Sequence, residues 1–261
     1  MAKRVVSSIV GLLILIAPVV FGGGLLKAAV AIVTIIGMAE LYRAFGPLKP
    51  MHFLGFGAAV IHMVFLSPYG FLPALPILLM GSSLIMLIAR HKTHEPKDAA
   101  INLLGFFYIA ATLSSIYLLR ATDYGSFHVW LIFISAWGCD TGAYFCGRAF
   151  GRKKLAPALS PKKTLEGAIG GTIIAAALAG AYGYVLYSMG ILYGHYILIY
   201  SAIALVCSIF GQLGDLAASA IKRHNNIKDF GSIMPGHGGV LDRFDSIIFT
   251  APLAFAMIWL I

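Results

Sequence analysis

Long apolar runs separated by short polar segments make up most of the chain. Most runs are close to the roughly 20 residues that a helix needs to cross a bilayer, and their apolar positions are continuous. Continuous runs exclude a transmembrane β-barrel, whose strands alternate apolar and polar positions. The pattern predicts an all-α polytopic integral membrane protein with about nine transmembrane helices. They are expected at residues 5–21, 25–45, 52–68, 71–89, 100–119, 127–147, 166–187, 192–221 and 244–261.

The distribution of basic residues predicts how these spans are oriented. With the N-terminus placed in the cytoplasm, every Lys and Arg of the 19 except Lys27 and Arg120 falls in a cytoplasmic segment. An odd number of spans then places the C-terminus on the opposite side. We expect one integrated membrane domain, with spans one to five in residues 1–120 and spans six to nine in residues 121–261. The second region would carry cytoplasmic loops at 148–165 and 222–243.

The composition supports a membrane protein and explains the net charge. Of the 261 residues, 60% are hydrophobic and 11% are charged, whereas soluble domains average about 25% charged residues. The net charge of +9 follows from the cytoplasmic excess of Lys and Arg, which also attracts anionic lipid headgroups. Because there is no soluble basic domain, we expect no binding to nucleic acid.

Asp140 lies inside the sixth predicted span and Asp215 inside the eighth. Placing a carboxylate there costs at least about 2.5–3.5 kcal/mol, so each is expected to have a partner or a cation. Asp215, Ser219 and Lys222 follow one another at helical spacing and form one polar stripe.

Asp242 and Asp245 share a face if the last helix starts near Val240. All these carboxylates lie toward the cytoplasmic ends of their spans, so they could converge on one cavity. Salt bridges to Arg148, Lys222 or Arg243 are a structural alternative, and a coupling-ion site of a transporter is another.

The types of residue in these stripes favour a hard cation over a transition metal. Carboxylates without Cys or His ligand spacing favour Mg²⁺, which commonly shares its coordination shell with phosphates. His237 lies in a glycine-rich turn, "PGHGG", where it is expected to donate a hydrogen bond or contact phosphate. The backbone amides of Gly238 and Gly239 in that turn can come close to a ligand.

A cationic segment, "SPKKTLEG" at 160–167, ends the most basic loop. Thr164 can cap the helix that follows, and Glu166 lies in its first turn, where the helix dipole favours an anion. Ser160, Lys162, Lys163 and Thr164 also supply the donors that a phosphate chain requires. Basic and glycine-rich turns beside carboxylates are typical of phosphoryl or nucleotidyl transfer, in which positioning and charge neutralisation provide most of the catalysis.

Two stretches carry a resemblance to a known family. "SAIKRHNNIKDFGSIMPGHGGVLDRFD" (219–245) resembles the signature of the phosphatidate cytidylyltransferases, also called CDP-diacylglycerol synthases, and "CDTGAYFCGRAFGRKKLAPALSPKKTLEG" (139–167) resembles their upstream block. Length and hydropathy fit a bacterial member, whereas residues 1–120 match only in hydropathy. The matching positions are Ser219, Lys222, Arg223, Lys228, Asp229, Gly231, Pro235, His237, Gly238, Gly239, Asp242, Arg243 and Asp245.

The resemblance implies an enzyme of the bacterial inner membrane whose active site faces the cytoplasm. It would transfer the cytidylyl group of CTP to phosphatidic acid, giving CDP-diacylglycerol and pyrophosphate. Its partners would be CTP, phosphatidic acid and membrane lipids, and its cofactor Mg²⁺, with room for a second cation. The implied catalytic residues are Asp215, Asp242, Asp245, Lys222 and Arg243. The implied metal ligands are Asp215, Asp242 and Asp140. The implied phosphate-binding residues are Ser160, Lys162, Lys163, Thr164, Ser219, Arg223, Lys228, His237, Gly238 and Gly239.

Two other functions stay open at the level of sequence. A CTP-dependent lipid kinase of the polyprenol or dolichol type would transfer the γ-phosphate to an alcohol. An ion-coupled transporter could also bury aspartates, but it would need neither "SPKKT" nor "PGHGG". The sequence does not decide whether the chain forms a homodimer.

Overall fold

The computed structural model describes residues 16–66, 74–234 and 238–261. In chain order the elements are α1 (Gly23–Phe45), α2 (Pro50–Phe65), α3 (Ala74–Ala89), α4 (Pro96–Arg120), α5 (Gly125–Phe150), β1 (Lys154–Ala156), β2 (Ser160–Thr164), α6 (Leu165–Ser188), α7 (Tyr196–His224), α8 (Leu241–Phe244) and α9 (Ile247–Trp259). Residues 16–21 are helical as well.

The expectation of a mostly helical chain able to enter a membrane is confirmed. Within the described ranges, α1, α4, α5, α6 and α7 are long and apolar enough to cross a bilayer. The helices α2, α3 and α9 are apolar but shorter. The first predicted span, 5–21, lies largely outside the described residues. The count of nine spans and the orientation of the termini stay predictions.

The all-α expectation missed a small sheet in the basic loop. Strands β1 and β2 pair antiparallel, with Lys154 opposite Thr164 and Ala156 opposite Ser160. Strands of three and five residues are too short to show a reliable alternation of apolar and polar positions, so hydropathy could not reveal them.

The described residues form two compact units. The first consists of the described residues up to Asp123 together with Asn225–Phe244, and the second of Tyr124–His224 with Asp245–Ile261. The segment 225–244, which we assigned by sequence to the second region, therefore packs with the first unit.

A polar chain runs through the core of the first unit. The hydroxyl of Tyr42 donates to Oδ1 of Asn102 at 3.1 Å, and Nδ2 of Asn102 donates to the Ser83 hydroxyl at 3.0 Å. Gly55 and Gly105 allow this contact, because a Cβ on either would collide with the Tyr42 side chain. These side chains tie α1, α3 and α4 together, and Gly55 lets α2 pack closely against them.

Two cations of the first unit bind main-chain carbonyls. Nζ of Lys27 donates to the carbonyls of Val64 and Leu66, each at 3.0 Å. The Arg120 guanidinium donates to the carbonyls of Val19 and Val20, each at 3.1 Å. Both cations therefore satisfy acceptors at helix C-termini, which have no partner within their own helix.

Glycines set the close packing of α5 against α6 in the second unit. A Cβ on Gly171 would lie 2.5 Å from the carbonyl oxygen of Cys139, and one on Gly167 would lie 2.8 Å from that of Ala143. Small residues four apart allow helices in lipid to approach in this way. The packing places the C-terminal half of α5 next to the start of α6, where the basic hairpin is attached.

Candidate active site

A cavity of about 410 Å³ opens in the second unit, between α5, the hairpin, α6 and α7. Its wall contains five residues that the sequence singled out: Asp140, Lys162, Lys163, Thr164 and Asp215. The remaining lining residues are Ala143, Tyr144, Gly147, Arg148, Leu155, Gly167, Ala168 and Gln212. The structure thus brings together two aspartates from predicted spans and the two lysines of "SPKKT".

The two aspartates reach this cavity from separate helices. Asp140 lies on α5 and Asp215 on α7. Asp245, in the turn before α9, interacts electrostatically with both of them and with Lys222. The Asp245 carboxylate also accepts a hydrogen bond from the amide of Ser246 at 2.9 Å. Three carboxylates of the second unit therefore share one electrostatic environment.

Asp215 has two close polar neighbours. The Lys163 ammonium forms an ion pair with its Oδ2, and the Ser219 hydroxyl lies 3.4 Å from its Oδ1, as a weak donor. Ser219 and Lys222 are both less than one tenth exposed. The predicted polar stripe on α7 is thus present, and its charged end faces a lysine from the hairpin rather than any of the partners considered for a salt bridge.

Hydrogen bonds fix the base of the hairpin, and the sequence predicted one of them, the cap at Thr164. Thr164 caps α6, because its hydroxyl accepts the amide of Gly167 at 3.1 Å. Glu166 accepts the amides of Arg152 and Lys153 at 3.0 and 3.1 Å. The first turn of α6 therefore holds both ends of the hairpin, and Lys162 and Lys163 are presented next to it.

The glycine-rich segment belongs to the first unit and folds around Asp242. Oδ2 of Asp242 accepts the amides of Phe230 and Gly239 at 2.8 and 3.0 Å. Gly238 has a φ of 84°, a conformation that residues with a Cβ rarely adopt. The Gly239 amide, expected to face a ligand, is thus used inside the segment, and contact of these glycines with a substrate phosphate stays a prediction.

The other predicted site residues that the structure describes do not line the cavity. Ser160 begins β2 and is half-buried, but it does not line the cavity. Arg223 lies in the last turn of α7 and is exposed in the second unit, whereas Lys228 and Arg243 are exposed in the first. His237 lies outside the described residues. The sharing of one ion by Asp215 and Asp242 stays a prediction.

Oxygen ligands of the kind that Mg²⁺ prefers are present, although no complete protein cage is. Among the residues that the structure describes, no three His, Cys, Asp or Glu side chains are grouped closely enough to hold an ion by themselves. Mg²⁺ usually keeps several waters and binds one or two carboxylates plus substrate phosphates. Asp215 with Asp140 or Asp245 fits that mode of binding.

Gln212 is a cavity residue that the sequence analysis missed. Its Nε2 donates to the hydroxyl of Thr172 at 3.0 Å and to the carbonyl of Ala168 at 3.3 Å. Helical spacing could have identified it, because Gln212 lies three residues before Asp215 and extends the same polar stripe. Arg148, considered only as a salt-bridge partner, also lines the cavity.

Comparisons with known proteins agree with the resemblance noted in the sequence. Residues 2–261 match the model of the "Cytidylyltransferase family". The chain is 33% identical to the phosphatidate cytidylyltransferase of Bacillus subtilis (strain 168), over 99% of this chain and 97% of that protein. It is 34% identical to the phosphatidate cytidylyltransferase of Staphylococcus aureus (strain COL), over 97% of each chain.

Proposed function

The chain belongs to the cytidylyltransferase family, and from that membership we propose that it is a phosphatidate cytidylyltransferase. It transfers the cytidylyl group of CTP to phosphatidic acid and releases pyrophosphate. The observation that carries the proposal is the cavity in which Asp140 and Asp215 from two helices meet Lys162 and Lys163. Relatives with this activity in their names match the chain over nearly its full length.

The charges of the cavity suit two phosphate-bearing substrates. Lys162, Lys163 and Arg148 supply cationic donors to the wall of the cavity, and Asp140 and Asp215 supply carboxylates. Charge-assisted bonds from such donors are about twice as strong as neutral ones and orient a phosphate chain. Lys163, held by Asp215, is thereby kept at one place instead of sampling many rotamers.

In the proposed reaction a phosphate oxygen of phosphatidic acid attacks the α-phosphorus of CTP. The new bond joins that oxygen to the α-phosphorus, and the bond from the α-phosphorus to the bridging oxygen of the β-phosphate breaks. Pyrophosphate leaves with those electrons. The reaction requires no covalent enzyme intermediate, so the residues act by holding two anions in line and by neutralising charge.

We assign Mg²⁺ to Asp215, with Asp140, Asp242 and Asp245 as the other candidate ligands. When bound, the ion would offset the negative charge of the triphosphate and of the departing pyrophosphate. The carboxylates themselves keep the site selective for cations, while Lys222 limits their mutual repulsion. A second cation is compatible with this number of carboxylates.

We place the protein in the cytoplasmic membrane of a bacterium, with the cavity facing the cytoplasm. Support comes from the apolar helices, from the bacterial relatives and from the distribution of Lys and Arg in the sequence. CTP is a cytosolic compound, whereas phosphatidic acid is embedded in the membrane. A cavity at the cytoplasmic boundary gives both substrates access.

The position of a label on CTP tests the reaction. Purified protein would receive phosphatidic acid with CTP labelled at either the α- or the γ-phosphorus. We expect the α-label in the lipid product, the γ-label in pyrophosphate, and neither transfer after chelation with EDTA. Transfer of the γ-label to an alcohol lipid would indicate a kinase instead, and ion flux without CTP consumption would indicate a transporter.

A further inference from the structure

Glu40 is a buried carboxylate that nothing above places in the reaction. It lies in α1 of the first unit, is 2% exposed, and is the one acidic residue of that helix. A buried carboxylate is strongly destabilising unless other groups bind it. Its partners therefore indicate what it does.

Both oxygens of Glu40 bind the main chain about 200 residues away. Oε1 accepts the amide of Val240 at 3.0 Å, and Oε2 accepts that of Leu241 at 2.7 Å. Because the two bonds go to consecutive amides, they fix both the position and the direction of the chain at that point. The Leu241 amide opens the short helix α8, whose second residue is Asp242.

Two glycines of the same segment leave room for this carboxylate. A Cβ on Gly239 would lie 2.6 Å from both Glu40 oxygens, and a Cβ on Gly231 would collide with Oε1. Neither glycine has a positive φ, so backbone conformation does not require glycine there. Glycine is required at both positions because Glu40 approaches the backbone so closely.

Glu40 and Asp242 together bind four amides of one segment. Asp242 takes those of Phe230 and Gly239, and Glu40 takes the next two along the chain. The side chain of Asp242 is therefore oriented by a segment whose backbone Glu40 holds. A shift of the Val240 and Leu241 amides would move Asp242 with them.

We propose that Glu40 is a positioning residue for the cytidylyl transfer: it holds the backbone at Val240 and Leu241 so that Asp242 is directed toward the substrates. This inference rests on the proposed function and on the role assigned there to Asp242. Glu40 itself touches neither substrate. Its contribution is the bidentate anchoring of the segment that carries a reacting-site carboxylate.

The test compares Glu40→Gln and Glu40→Met with a matched control in the same unit. Gln keeps the length and one acceptor oxygen, whereas Met fills the same space without any. The control is Asp98→Asn, because Asp98 is also a buried carboxylate that binds a backbone amide, that of Glu95 at 2.8 Å, but far along the chain from the segment. Hydrogen exchange at residues 239–243, kcat, KM for CTP and thermal unfolding are measured in detergent-solubilised full-length protein.

We expect the amides of Val240 and Leu241 to exchange on the order of tenfold faster in Glu40→Gln, and faster still in Glu40→Met. We expect kcat to fall about 10-fold and 100-fold respectively, with KM for CTP changed less than about threefold, since a misdirected Asp242 affects the transition state more than binding. Asp98→Asn should leave exchange at 239–243 unchanged and kcat within about threefold of the wild type.

The outcomes separate this inference from the proposed function. If the wild type makes no CDP-lipid, the function is wrong, and the exchange data alone decide whether Glu40 anchors the segment. If the wild type is active and both Glu40 variants retain its kcat, the positioning role is wrong. It is also wrong if their losses of kcat merely follow lowered unfolding temperatures. If Glu40→Met does not fold, Glu40→Gln carries the test.

Discussion

The Lys163 ammonium lies against the carboxylate of Asp215, inside a cavity that both residues line. One residue comes from the hairpin and the other from α7, so the pair links the basic hairpin to a helix long and apolar enough to cross a bilayer. The pairing offsets part of the cost of an aspartate in this position. It also keeps a cation next to the site that we assign to substrate phosphates.

We expect Lys163→Met to lower kcat/KM for CTP by about 10- to 100-fold, which corresponds to the roughly 1.5–3 kcal/mol typical of a hydrogen bond to a charged group. The reason is the loss of a cationic donor that is already oriented. Steady-state kinetics at saturating phosphatidic acid measure the effect. Lys154→Met is the control, since Lys154 lies on the paired strand, is exposed and does not line the cavity. Equal losses in the two variants would mean that only the net charge of the hairpin matters.

Asp215→Asn and Asp140→Asn are each expected to reduce turnover by at least about 100-fold, because each removes a negative charge from the proposed cation site. Titration of activity with Mg²⁺ should show a weaker apparent affinity wherever residual turnover is measurable. Asp123→Asn, an exposed aspartate in a loop, should behave as the wild type. An unaltered Mg²⁺ response in both cavity variants would remove these residues from the metal site.

Asp242→Asn should abolish turnover while the protein still folds. The amide oxygen of asparagine can accept the Phe230 and Gly239 amides that Oδ2 of Asp242 accepts now, so the segment should keep its conformation. The missing charge then accounts for the loss. Activity is compared with hydrogen exchange at residues 229–240. Wild-type turnover would show that Asp242 has a structural task alone.

Thr164→Val should lower the free energy of unfolding by about 1 kcal/mol, because the N-cap of α6 is lost. Thr164→Ser, which keeps the hydroxyl, should restore stability. Since the cap lies at the end of the strand that carries Lys162 and Lys163, we also expect KM for CTP to rise in the valine variant. Unfolding in detergent and initial rates test the two effects separately, and failure of serine to restore stability would argue against the cap.

Gly171→Ala should destabilise the second unit by about 1–3 kcal/mol, the usual cost of overpacking. The new Cβ would lie 2.5 Å from a backbone oxygen of α5, which cannot move aside as a flexible side chain could. Gly81→Ala in α3 is the control, because nothing lies within 4 Å of its Cβ position. There the alanine should be neutral or stabilise by roughly 0.5–1 kcal/mol. Thermal unfolding of both variants measures the difference in stability. Similar unfolding midpoints would contradict the close packing of α5 and α6.

Features that depend on local chemistry could be predicted from the sequence. The hydropathy of α1, α4, α5, α6 and α7 identified spans whose ends differ from the structure by a few residues. The cap at Thr164 followed from a hydroxyl before an apolar run. Asp140 and Asp215 could be chosen because a carboxylate in an apolar helix is costly enough to need a reason.

Features that depend on contacts distant in sequence could not be predicted. Glu40 is an acid within the predicted span 25–45, but nothing in the local sequence shows that its oxygens bind the amides of residues 240 and 241. The glycines of "PGHGG" were interpreted as space for a ligand, whereas Gly239 makes room for Glu40. The pairing of Lys163 with Asp215 likewise required the three-dimensional arrangement of the hairpin and α7.

Lys27 and Arg120 were the two exceptions to the predicted cytoplasmic excess of positive charge, and in the structure each of them donates two hydrogen bonds to carbonyl oxygens. A cation bound in this way stabilises the end of a helix and should contribute little to the orientation of the chain in the membrane. Counting every Lys and Arg equally would therefore understate the charge asymmetry between the two sides of such proteins. We expect a lysine added elsewhere on the side predicted to face away from the cytoplasm, without a carbonyl to bind, to disturb membrane topology more than these two residues do.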